Sequence, residues 1–232
     1  MEIDPFTIPK NWTVNRAFDE GTAPPFATVW VAEANGEEVK LPNGKIFCPP
    51  SGSLIVVAED YGTEEDAHGN QVERNRGLQL SARPVARRIK KKEEQLLKGI
   101  LSNHTKVEPG PADLSIRKGG KLDKGTGASV EKEMAAEGIK WTDSYKATGS
   151  RKLSAQIMIE RLSATKEQDF ERPHIYFFKT CRYCIKFLPE HHRNENNPEE
   201  VAKGPDDHLW DAIAYRLTQK AKPKTITRKG FF

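Results

Sequence analysis

Three β-prone runs between Trp12 and Tyr61 restrict this fold more than any other feature of the chain. In residues 12–18, Trp12, Val14, Arg16 and Phe18 alternate with Thr13, Asn15, Ala17 and Asp19, which is the two-residue period of a strand. Residues 26–34 (FATVWVAEA) form a second run, closed by the hairpin-type dipeptide Asn35-Gly36. After a Pro/Gly-rich excursion over residues 41–52, residues 53–61 (SLIVVAEDY) supply a third. Three consecutive strands with short connections predict an antiparallel meander.

Beyond the meander the pattern changes period. Residues 62–77 are polar, mixed in charge and aperiodic. Ser81 then suits the cap of a helix that carries Val85, Ile89, Leu96, Leu97, Ile100 and Leu101, with the basic run 87–92 on its outer side. Residues 106–113 read as a short strand ending in a turn, residues 129–137 as a helix stopped by Gly138, and residues 139–141 as a strand. Ser150 caps a helix through Leu162, residues 174–179 form another apolar strand, and residues 181–188 give one or two helical turns before Pro189. This order predicts one mixed α/β domain.

Composition sets only broad bounds. The 232 residues suffice for one large domain or two small ones, and 36% hydrophobic residues suffice for a core. With 37 Lys+Arg against 33 Asp+Glu, the net charge of +4 points only weakly to an anionic partner. No apolar run approaches the ~20 residues of a spanning helix, so no membrane partner is expected. An odd count of 3 cysteines favours a reducing compartment over a disulfide framework. Residues 1–7 (MEIDPFT) read as an expression-vector scar outside the fold, residues 8–220 as the domain, and residues 221–232 as a flexible basic tail.

The last periodic segment, GPDDHLWDAIAYR at residues 204–216, is a helix whose Leu209, Trp210, Ile213 and Leu217 share one apolar stripe. Pro205 suits its first position. Asp206 and Asp207 complement the helix N-terminal dipole. Asp207 and Asp211 stand one turn apart on another face, flanked by His208 and Tyr215, and that pair of like charges needs a cation, a hydrogen-bond partner or full solvation. Asp19 and Asp113 likewise close apolar elements. If the first and fourth strands are parallel neighbours, Asp19 and Asp113 share one sheet edge and Asp211 faces them from the last helix. Carboxylates ~5 Å apart repel by roughly 3 kcal/mol at an effective dielectric of 20, so three together need a counter-charge. Hard divalent cations such as Mg²⁺ supply it, and a pair of them suits phosphodiester hydrolysis.

FDEGTAPPF (18–26), EDYG (59–62), GPAD (110–113), GIKW with SRKL (138–141, 150–153) and PDDHLWDAIAY (205–215) occur in the order seen in a known family. The chain resembles the C-terminal nuclease domain of tailed-bacteriophage large terminase subunits, the headful DNA-packaging nuclease, over residues 12–217. That resemblance implies a ribonuclease-H-like mixed central sheet flanked by helices, and an endonuclease that cuts concatemeric viral DNA with two divalent cations, Mg²⁺ or Mn²⁺. It implies that Asp19, Asp113 and Asp211 hold the metals, with Asp19 bridging them. It assigns His208 as an accessory catalytic histidine, Asp207 and Glu59 as further acidic positions near the metals, and Arg151 and Lys152 as contacts to DNA phosphate. Glu20 stands where an aromatic residue is common in the family, adding negative charge near the site. The implied partners are double-stranded DNA, an N-terminal ATPase domain, a small terminase subunit and a portal protein, in the host cell cytoplasm. No G-x-x-x-x-G-K-[ST] phosphate loop occurs in the sequence, so the chain is expected to correspond to the C-terminal half alone and to lack ATPase activity.

Two other readings compete. Cys181-x-x-Cys184 followed by His191-His192 has zinc-ligand residue types. The basic run 87–92, the RKGGKLDKGTG loop at 117–127 and the basic tail fit a non-catalytic module that docks on DNA or a portal protein.

Overall fold

The structure, a computed structural model, describes residues 1–21, 23–117, 127–192, 201–202, 204 and 207–219. Its strands are β1 (Glu2–Ile3), β2 (Thr13–Asp19), β3 (Ala27–Glu33), β4 (Val39–Lys40), β5 (Ile46–Phe47), β6 (Leu54–Tyr61), β7 (Pro111–Ala112), β8 (Thr142–Asp143) and β9 (Ile175–Phe178). Its helices are α1 (Ala82–Lys98), α2 (Val130–Ala136), α3 (Ser150–Glu167), α4 (Arg182–Phe187) and α5 (His208–Thr218). The expected Pro205 helix start, Asp206, the basic loop at 118–126 and the tail at 221–232 lie outside the described residues.

A seven-stranded mixed sheet, ordered β1-β9-β6-β3-β2-β7-β8, is the frame. The meander forms its middle: β3 pairs antiparallel with β2 on one side and with β6 on the other. Every outer pairing is parallel. Ala27 to Ala32 are all buried, which is why that run is apolar without alternation: helices cover both faces of the central strand. One face carries α1, where Arg16 and Trp30 both bond to Glu93 and Phe18 stacks on Trp141 at 5.1 Å. The opposite face carries α5, which α3 flanks. Arg216 of α5 reaches Asn15 and Glu33 there, and Tyr215 reaches Asp19.

Parallel pairing of β7 with β2, with Phe18 opposite Ala112, is the contact that builds the site. It depends on Gly110, where a Cβ would lie 1.8 Å from the Arg16 carbonyl oxygen. Only a residue without a side chain lets the backbones approach so closely. Gly149, at φ 81°, turns the chain through the left-handed region into α3.

Some expectations need correction. Residues 1–7 are part of the fold, because Glu2 and Ile3 pair with Phe177 and Phe178. Phe6 is buried against Trp12, Phe47 and Phe178. An aromatic ring placed among three others is core, whatever its position in the chain. The strand expected at 139–141 falls just beyond, at Thr142–Asp143, since Ile139 and Trp141 are spent on the core beneath α1 and α2. The first helix ends at Lys98 rather than continuing through Leu101, and α3 runs on to Glu167.

Candidate active site

The C-terminal ends of β2 and β7 lie side by side, and each delivers an aspartate. Asp19 is the last residue of β2, and Asp113 follows β7, with its N–H donated to the Phe18 carbonyl at 3.3 Å. At the end of the next parallel strand, β8, Ser144 keeps a buried hydroxyl with no hydrogen-bond partner among the described residues. Helix α5 closes the cluster. His208, Asp211 and Tyr215 recur at i, i+3 and i+7, so they share one helical face.

The contacts are specific. The Tyr215 hydroxyl stands 2.9 Å from Asp19 Oδ1 and 2.9 Å from Asp113 Oδ2, joining the two strand-end carboxylates. His208 Nδ1 lies 2.5 Å from Asp19 Oδ2. Lys146 Nζ lies 2.5 Å from Asp113 Oδ2, while the Ser115 N–H donates to Asp113 Oδ1 at 2.6 Å. Arg151 of α3 faces both helix acids, Asp211 at 2.9 Å and Asp207 at 3.5 Å, and donates to the Val201 carbonyl. The like-charged pair on the last helix therefore has its cation, and it is Arg151.

The field follows from this layout. Burial and the Asp19 charge push the Asp211 carboxyl up to about 6 despite Arg151. Burial opposes ionisation of Asp113, yet the Lys146 ammonium, the Ser115 N–H and the Tyr215 hydroxyl together take it down to about 2. Burial also opposes charge on His208, but Asp19, Asp207 and Asp211 outweigh it and raise its affinity for a proton. Desolvation, then the charges of Asp19, Asp211 and Asp113, drive the Tyr215 phenol upward, so it stays a hydroxyl donor.

The structure brings together Asp19, Asp113, Asp207, His208, Asp211 and Arg151. It does not bring Glu59 to them. That carboxylate accepts the Tyr183 and Cys184 N–H groups at 2.7 and 2.8 Å, covering the start of α4. Arg151, expected on a DNA phosphate, is engaged by Asp207 and Asp211, and Lys152 beside it is exposed. Lys146 was not anticipated, and neither was the bridging role of the Tyr215 hydroxyl. Tyr215 had a signal in its helical spacing from His208 and Asp211; Lys146, in a polar loop, had none.

Donor chemistry at this cluster suits a hard divalent cation: carboxylate oxygens converge on the Tyr215 hydroxyl and one imidazole is adjacent. Lys146 and Arg151 already stand where positive charge is needed. Among the described residues, no three His, Cys, Asp or Glu side chains are drawn close enough to close on an ion by themselves. The zinc reading is disfavoured by where its thiols lie: the Cys181 thiol donates to the Val56 carbonyl inside the core. Cys181 and Cys184 are buried, their thiols pushed well up by burial and the Glu59 charge.

Comparison with solved structures identifies the architecture. The P22 large terminase nuclease domain superposes with a TM-score of 0.53 at 15% identity, over 94% of this chain and 86% of that one. The large terminase from a thermophilic bacteriophage gives 0.50 at 14% identity, and its complex with ADP gives 0.52 at 14%. In both, 93% of this chain covers 41% of the terminase. No family model matches the sequence, and no curated protein matches it. The chain has the ribonuclease-H-like fold of a large terminase nuclease domain.

Proposed function

We propose that this chain is a divalent-metal-dependent endonuclease that cuts concatemeric double-stranded viral DNA during genome packaging. The observation that carries the reading is the meeting of Asp19 and Asp113 at adjacent parallel strand ends, bridged by Tyr215 from the helix that also presents Asp211. Asp19, Asp113 and Asp211 would hold two Mg²⁺ or Mn²⁺ ions. Bound there, such ions lower the pKa of water and stabilise the leaving oxygen in phosphodiester hydrolysis.

The chain's own groups do the rest. His208 orients Asp19 through Nδ1 and stands as the acid–base group beside the reacting centre. Arg151 fixes Asp211 and Asp207 in one orientation, so α5 presents its carboxylate in a defined rotamer. Such contacts read no bases, and cleavage with little sequence preference is expected. In the wider machine, an N-terminal ATPase domain, a small terminase subunit and a portal protein would present the DNA.

Plasmid cleavage with Mg²⁺ or Mn²⁺ tests the reading. Asp19→Ala, Asp113→Ala and Asp211→Ala are each expected to lower the rate by more than about 100-fold, the scale of removing a preorganised electrostatic stabiliser. Survival of cleavage in any of them, or no cleavage by the wild type, sinks the assignment.

A further inference from the structure

We propose that Lys146 is a displaceable counter-ion of the site: its ammonium stands in for a divalent cation at Asp113 and competes with that cation for the carboxylate. The inference rests on the metal-site reading above. Lys146 comes from the loop between β8 and α3 and places Nζ 2.5 Å from Asp113 Oδ2, the same oxygen that receives the Tyr215 hydroxyl. The ammonium also lies 5.3 Å from the centre of the Tyr215 ring, so it is held on two sides.

Geometry sets up the competition. Asp113 Oδ1 accepts the Ser115 N–H, while Oδ2 accepts both the Tyr215 hydroxyl and the Lys146 ammonium, so a cation that approaches Oδ2 meets Lys146 there. An ammonium and a divalent ion on one oxygen repel at any plausible dielectric. That repulsion favours departure of one as the other arrives. Lys146 is able to leave, since its side chain is 39% exposed on a flexible four-carbon stem, whereas Asp113 at 16% is fixed by its backbone contact. The two cations at the cluster therefore differ in kind. Arg151 is 21% exposed, bound by two acids and a carbonyl, and stays; Lys146 holds a single carboxylate and yields.

The consequence is that Lys146 sets how much metal the site requires. Titration of the chain with MnCl₂ alone, followed by calorimetry or by the spin-resonance signal of free Mn²⁺, reads this without reference to cleavage. Lys146→Met keeps the stem and removes the charge, and is expected to bind Mn²⁺ about tenfold more tightly than the wild type. Lys146→Arg keeps the charge and is expected to stay near the wild type; Lys146→Gln provides a second neutral variant should Lys146→Met fail to fold. Tighter binding by a neutral variant, including the case where the wild type binds too weakly to detect, supports the proposal. If the wild type binds and the neutral variants bind equally or more weakly, the counter-ion role is wrong while the metal site stands. A matching gain in Lys146→Arg shows that charge is not the cause and also overturns it. If neither the wild type nor any variant binds Mn²⁺, both the proposal and the metal-site reading fall.

Discussion

Tyr215 has one proton to give and two carboxylates at 2.9 Å to receive it. Its phenol cannot ionise while three aspartates surround it, so the hydroxyl serves one acid at a time and partly screens Asp19 from Asp113. Tyr215→Phe removes that screen while keeping the ring that packs under Lys146. The metal-free protein is expected to lose about 1–3 kcal/mol, the cost of leaving a buried polar partner unmade. Urea unfolding in EDTA measures this, and an unchanged midpoint would show that the bridge contributes nothing. At this scale the sequence was legible wherever a residue's role follows from its helical or strand period. His208, Asp211 and Tyr215 share a face by spacing alone, and Asp19 and Asp113 end apolar runs. Lys146 was illegible because only the β7–β8 register brings its loop beside Asp113, and no local pattern encodes that pairing.

Helix α4 shows the same limit for a whole element. Residues 53–61 read plainly as a strand, but whether Glu59 served a metal or a helix depended on what packed beside it. The answer is a chain segment 124 residues away whose first N–H groups it caps. Glu59→Gln leaves one good acceptor for two donors and is expected to cost about 1 kcal/mol of stability, as loss of a helix cap does. It is also expected to retain Mn²⁺-dependent plasmid cleavage, and a loss as deep as that of Asp19→Ala would return Glu59 to the metal site. The thiols on the same element offer a separate check. Burial raises the Cys181 and Cys184 thiols, so at pH 8 they hold almost no thiolate, while Cys48 is exposed. An aromatic disulfide reagent should therefore release one fast equivalent from the native chain and three in guanidinium. Fast reaction of all three thiols in the native chain would mean that α4 is not seated as described.

For the whole molecule, net charge proved a poor guide and topology a good one. The basic run on α1 reads as a phosphate-binding face, yet its arginines are used internally. Arg83 pairs with Glu133, Arg87 with Glu137 and Arg88 with Asp60, tying α1 to α2 and to β6. A non-catalytic docking reading built on residues 87–92 thus loses two of its five cations, Arg87 and Arg88. The opposite surprise lies at the N-terminus, where a segment set aside as foreign supplies β1 and a buried ring. Phe6 touches Trp12 ahead of β2, Phe47 of β5 and Phe178 of β9, so it connects the meander to the far parallel strands. Phe6→Ala opens a cavity among large rigid rings that cannot collapse into it, and the expected loss is about 3–5 kcal/mol. Glu2→Ala, an exposed change on β1 just before that ring, should stay within about 0.5 kcal/mol of the parent. Parallel urea titrations separate the two outcomes. If Phe6→Ala unfolds at the same denaturant concentration as Glu2→Ala, then the ring is not part of the core and the seven-stranded sheet loses its first strand.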